Sequence, residues 1–186
     1  MRALAILGVK NEAPFLLEWL AHHRAVGFTD FLVYSNDCSD GTDAMLDRLA
    51  AMGWITHMPN PGPHAEGPQW AMLKAADKHP AKAAADWVLF CDVDEFVNIH
   101  AGRRQLTDLL AALPAADAIA LTWRMFGNAG VIEQSDQPVT ETFTRAAPPP
   151  ERPRAGLTDR AAKCPNWPVA PGFSRITHVI PMALPS

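Results

Sequence analysis

Several things are missing from this 186-residue chain, and each absence excludes something. No run of lysines and arginines of the kind that tracks a phosphate backbone occurs, and the formal net charge is -4, so nucleic acid is excluded as the expected partner. No segment approaches the roughly 20 consecutive apolar residues that cross a bilayer. The opening MRALAILGVKNE does not read as a secretory leader either, because its apolar run is short and Lys10, Asn11 and Glu12 follow it directly. A cytoplasmic location is the expectation, with peripheral membrane attachment left open. Cys38, Cys91 and Cys164 lie far apart and none belongs to a CxxC pair, which counts against a zinc–thiolate site and a disulfide framework.

What is present is an ordinary globular composition, 48% hydrophobic and 19% charged, at a length that suits one core. Apolar runs at 3–9, 31–35, 54–57, 87–91 and 119–123 read as strands. Between them lie amphipathic segments. Pro14 suits an early helical position, with Leu16, Trp19, Leu20 and His23 on one face. Met45, Leu46, Leu49 and Met52 share another helical face, a helix over 69–85 is interrupted at Pro80, and a further helix is expected over 106–113. The stretch PNPGPHAEGP at 59–68 is too rich in proline and glycine for regular structure. This alternation predicts an α/β domain with a mostly parallel sheet.

The expected division is a core over 1–137 and a proline-rich section of the same domain over 138–186, with loops and one short strand near RITHV at 175–179. That section lacks a closing helix, which raises truncation of a longer domain as a reading. In a parallel sheet ligands bind beyond the carboxyl ends of the strands. The polar clusters at 10–12, 36–42 and 92–95 all follow expected strands, so one sheet edge would collect them.

The most pointed cluster is DWVLFCDVDEF at 86–96, where an apolar strand ends in Asp92, Asp94 and Glu95. One reading is a strand leaving the core for solvent. The other is an ion site: two aspartates at i and i+2 on a strand-end turn suit an oxygen-preferring cation, Mg²⁺ or Mn²⁺. Such an ion is a common way to grip a diphosphate and to stabilise the charge that develops when it leaves. Glu95 reads either as a ligand-side partner or orienter or as a carboxylate that caps the following segment, the supporting role being preferred, and Phe96 reads as core.

The order VKNEAPFLLEWLAHHRAVGF at 9–28, SNDCSDGT at 35–42 and WVLFCDVDEFV at 87–97 closely resembles the family 2-like glycosyltransferases of GT-A fold, in particular a bacterial group with a KNE start and a DVDEF core. TWRMFGNAG at 122–130 and THV at 177–179 fit that group too. The resemblance implies a three-layer α/β/α domain with a mostly parallel mixed sheet. It implies transfer of a sugar, by inversion, from a nucleotide-diphosphate sugar, UDP-linked by expectation, to a carbohydrate or other hydroxyl acceptor. Carried over by residue, it sets Glu12 and Asp37 against the nucleoside, with a ring N–H of the base donating to Asp37; an Asx turn in NDCSDG is the competing reading, and a readier one for Asp40 than for Asp37. Lys10 and Asn11 orient the first loop or meet phosphate, loop geometry alone being a sufficient role for Asn11. Asp92 and Asp94 become the metal pair, completed by His178, with Lys163 near the diphosphate; His178 as a structural histidine and Lys163 as a solvated lysine are the competing readings. The catalytic base is not singled out. Glu133, Asp136, Glu141 and Asp159 are available, and Trp70, Trp123 or Trp167 would offer a face for a sugar. Two other classes stay in view: a nucleotidyltransferase, although VKNEAPF lacks the glycine-rich basic loop of that class, and a degenerate domain that binds nucleotide-sugar or a protein without turnover.

Overall fold

The computed structural model describes residues 1–146 apart from 122, 123, 125, 129, 134 and 135. Four strands, β1 (Ala3–Val9), β2 (Asp30–Ser35), β3 (Thr56–Pro59) and β4 (Trp87–Phe90), form one sheet in the order β3-β2-β1-β4. All three pairings are parallel, with Leu7 opposite Val33, Ala5 opposite Leu89, and Tyr34 opposite Met58. Successive side chains on a strand face opposite sides, and the sequence uses both. Ala5, Leu7, Val9, Phe31, Val33 and Leu89 face one core, while Leu4, Ile6, Leu32, Tyr34 and Val88 face a second. A central strand apolar on both faces requires cover on both faces.

The first face is covered by α1 (Ala13–Val26), α2 (Thr42–Ala51) and α5 (Leu106–Ala112), which bring Leu16, Trp19, Leu20, Leu46, Leu49 and Leu106 into the core. The second is covered by α3 (Pro68–Asp77) through Met72 and Ala76, with Ala81 of α4 (Pro80–Ala83) alongside. Helix α1 carries proline in its first turn and ends at Gly27, whose φ of 117° lets its N–H reach back to the carbonyls of His23 and Arg24. Pro80 splits the expected long helix in two, and the His79 side chain caps the second piece. The arrangement is three-layered, as expected.

Three expectations are corrected. The third strand lies two residues later than read, because Gly53 and Trp54 close the end of α2 by donating to the carbonyls of Ala50 and Leu49. The strand then continues to Pro59, which an edge position tolerates. No strand spans 119–121: Ile119 is buried, but Ala120 makes only an isolated bridge. Among the described residues the sheet strands pair in parallel, in keeping with the expected α/β fold, and an isolated antiparallel bridge joins Phe126 to Ala146. The segment after 137 also holds more structure than loops. A short helix, α6 (Val139–Thr142), buries Val139 and Phe143 in the first core. The Glu18 carboxylate of α1 holds it, accepting from the Val139 N–H at 2.6 Å, the Thr140 N–H at 3.0 Å and the Thr140 hydroxyl at 2.7 Å. The expected strand at 175–179 lies outside the described residues.

Gly8 shows how closely the second layer packs on β1: a Cβ there would stand 2.7 Å from the sulfur of buried Met72. G8A should therefore cost about 1–2 kcal/mol by overpacking. In an M72A background the added cost should fall to about 0.5 kcal/mol or less, which a double-mutant cycle of urea unfolding measures directly.

Candidate active site

The loops after β1, β2, β3 and β4 leave the same edge of the sheet, and the strand order reverses at β1. A crevice therefore opens between the segments that follow β1 and β4. Hydrogen bonds between loops hold its walls. Asn11, in the left-handed region at φ 58°, accepts from the Ser39 N–H at 2.7 Å and the Ser39 hydroxyl at 3.4 Å. Glu12 donates its N–H to the hydroxyl of fully buried Thr42 at 3.0 Å. That hydroxyl donates onward to Asp40 at 2.6 Å, and Asp40 also accepts from the backbone N–H of Thr42 and of Ala13. Asp40 is thus a turn and capping residue, as an Asx turn in NDCSDGT would have it.

Asp37 also sits at positive φ, 49°, and its Oδ2 accepts from the Gly62 N–H at 3.0 Å. The proline-rich loop is fastened a second time by Asn60, whose amide donates to Asn36 Oδ1 and to the Pro68 carbonyl. Beneath these loops lies a chain of groups that sequence reading missed. Ser35 Oγ is 2.9 Å from His57 Nε2, and His57 Nδ1 is 2.7 Å from Asp47 Oδ1. The spacing is that of a nucleophile, base and orienter. Ser35 is only 4% exposed, inside a strand paired on both sides, so its hydroxyl is closed to a substrate. The chain of bonds ties β2 and β3 to α2.

After β4 the backbone alternates between core and crevice. Cys91, Val93, Phe96 and Val97 are buried in the first core, while Asp92 reaches solvent and Asp94 is half-buried. Glu95 closes the turn by both ends: its N–H donates to the Asp92 carbonyl at 3.1 Å, and its carboxylate accepts the Asp92 N–H at 3.1 Å.

The electrostatics join the two sides of the crevice. Desolvation raises the Glu12 carboxyl to about 7, helped by the charges of Asp94, Asp92 and Asp40 and opposed by the Lys10 N–H it accepts. Desolvation, with the neighbouring Asp92 and Asp94, likewise raises Glu95 to about 7. Asp92 and Asp94 are both raised by partial burial, Asp94 also by the charge of Asp92. Among the described residues, no ion pair joins any of these four carboxylates to a cation. Such a set of hard oxygen donors fits a divalent ion. Among the described residues, however, no group of three or more His, Cys, Asp or Glu side chains is arranged around one ion position. The expected third ligand, His178, lies outside the described residues, as do Lys163, Asp159, Trp123 and Trp167. Lys10 is exposed, and so are Glu133 and Asp136, which are not among the charges acting on Glu12.

A model of glycosyltransferase family 92 matches residues 4–164. The chain belongs to glycosyltransferase family 92. Among family 92 relatives, one from Oryza sativa subsp. japonica is 26% identical over 148 residues, covering 77% of this chain and 24% of that protein. One from Arabidopsis thaliana is 27% identical over 158 residues, covering 76% of this chain and 26% of that one. The chain thus spans about a quarter of the length of these curated relatives. Among solved structures, Staphylococcus aureus TarS residues 1–349 align at a TM-score of 0.49 and 17% identity, covering 72% of this chain and 39% of that one. The same TarS piece in complex with UDP aligns at 0.47, with 17% identity and coverage of 72% and 38%. The family named by the match is 92, whereas the motifs resembled the family 2-like group.

Because the folded protein holds the Glu12 proton more tightly than an unfolded chain does, this group favours folding at low pH. That contribution is lost as the pH rises from the unfolded value near 4.5 through about 7. In metal-free buffer E12Q, which keeps an acceptor for the Lys10 N–H, should match the parent near pH 4.5. At pH 8 it should exceed the parent by about 1–2 kcal/mol, a magnitude that allows for the partial solvation of the group. Urea unfolding at both pH values measures the difference.

Proposed function

We propose that this family 92 domain builds the donor site of a metal-dependent glycosyltransferase, moving a sugar from a nucleotide-diphosphate sugar, UDP-linked, to a hydroxyl acceptor with inversion. One observation carries the reading: Glu12, Asp92 and Asp94 stand at one crevice edge, each raised by partial burial, with Asp92 and Asp94 adding to Glu12 and Asp92 to Asp94, and without a cationic partner among the described residues. Carboxylates crowded this way cost stability unless positive charge joins them. The KNE start and the DVDEF core support a place near the family 2-like bacterial subgroup as well.

In this reading Asp92 and Asp94 hold Mn²⁺ or Mg²⁺, with His178 as a further ligand. The ion, when bound, offsets the charge that accumulates on the departing diphosphate. Asp37, steadied through one oxygen by the Gly62 N–H, accepts the ring N–H of the base. Lys10 reaches phosphate from the exposed end of the first loop. Asn11 is assigned to fastening that loop onto Ser39. Glu12 meets the nucleoside side of the donor. Glu95 keeps Asp92 and Asp94 presented by closing their turn. The base that takes the acceptor proton is left among Glu133, Asp136 and Asp159, and Lys163 is kept near the diphosphate.

Calorimetric titration of the full chain with UDP, in Mn²⁺ and in EDTA, tests this. UDP should bind at least about tenfold more tightly with Mn²⁺, a gain of ~1.4 kcal/mol or more. D94N should abolish that difference while its unfolding midpoint stays at or above the parent's, since the substitution removes a crowded charge. Equal UDP affinity with and without Mn²⁺ would contradict the proposal.

A further inference from the structure

Helix α1 carries two adjacent histidines, and both turn toward one residue 74 and 75 positions away. His22 Nε2 is 2.8 Å from the Val97 carbonyl, so His22 is the donor there. His23 Nδ1 is 2.8 Å from the Trp19 carbonyl, which obliges Nδ1 to carry a proton. Its Nε2 is then bare and accepts the Val97 N–H, at a long 3.5 Å. Two histidines thus engage both backbone polar atoms of a single buried residue. Phe96 is gripped by the same rings, edge-on to His22 at 5.2 Å and stacked with His23 at 6.2 Å. Trp19 backs His23 at 4.3 Å. His23 is fully buried and burial lowers its imidazolium to about 3, so it stays neutral and keeps this tautomer at ordinary pH.

The position of Val97 gives the contact its meaning. Val97 is three residues beyond Asp94, where the acid turn re-enters the core. The turn is fixed at its start by Cys91, whose N–H donates to the Ile6 carbonyl, and internally by Glu95. Glu95 makes an isolated bridge, but among the described residues Val97 belongs to no strand, β4 having ended at Phe90. The histidine pair holds its backbone there.

We propose that His22 and His23 are positioning residues that set the aim of Asp92 and Asp94 by holding Val97 and Phe96. The proposal rests on the donor-site reading above, and its test separates the two. His22 is the residue to vary, because it is only partly buried. H22L removes the donor, whereas H22Q returns an N–H donor at the ε position. Three quantities are read on the full chain: unfolding midpoint in EDTA, hydrogen exchange over residues 92–97 in EDTA, and UDP affinity with Mn²⁺. H22L should speed exchange over 92–97 at least about tenfold and weaken Mn²⁺-dependent UDP binding by a similar factor. H22Q should return both to within about threefold of the parent. Should H22L fail to fold, H22Q against H22N gives the same comparison, since Asn cannot reach Val97 with a donor at the ε position.

A variant H22L with parental exchange and parental UDP affinity would overturn the positioning role, and so would an H22Q that behaves like H22L. A parent that binds no UDP with Mn²⁺ would sink the donor site alone. The exchange readings would then still decide whether the histidines hold the turn.

Discussion

Everything at the working edge depends on keeping carboxylates close together with no positive side chain among the described residues to offset them. Glu12 arrives from the end of β1, Asp92 and Asp94 from the end of β4, and each is raised by loss of solvent, with neighbouring acids adding to the shift at Glu12 and Asp94. Left to themselves such groups would move apart into water. The surrounding hydrogen bonds prevent that. Thr42 and Asp40 pin the backbone of Glu12, Asn11 and Ser39 join the first two loops, and Glu95 closes the acid turn. The fold therefore holds repulsion where positive charge would relieve it.

Helix α1 is the element that makes this possible. Its apolar face, Leu16, Trp19 and Leu20, packs on the sheet, as any amphipathic helix would. Its polar residues then reach outward in sequence: Glu18 to the start of α6, His22 and His23 to the far end of the acid turn. One rigid helix thus references two distant segments to the same sheet. Precision at a site on loops comes from such outer contacts.

Much of this was legible before the structure. The strand ends, the interruption at Pro80 and the gathering of 10–12, 36–42 and 92–95 on one edge follow from hydrophobic period and the rule for parallel sheets. What escaped were contacts between segments far apart in sequence. The grip of His22 and His23 on Val97, the Glu18 cap on α6 and the Ser35–His57–Asp47 bonds join positions with no shared period. The adjacent histidines on a helix that buries one face were the sole hint, since one of the pair points inward. The third strand was misplaced because Gly53 and Trp54 serve the end of α2, a use that β-propensity does not reveal. The run at 119–123 was apolar enough for a strand, yet over 119–121 only Ile119 is buried and no ladder forms.

The central claim is that the paired aspartates after β4 serve a nucleotide-sugar donor. The most direct measurement is nucleotide release from a panel of nucleotide-sugars by the full chain, in Mn²⁺ and in EDTA, beside D94N. The account predicts slow release from a UDP-sugar that needs Mn²⁺ and is lost in D94N. Release that is unchanged by EDTA or by D94N would contradict it.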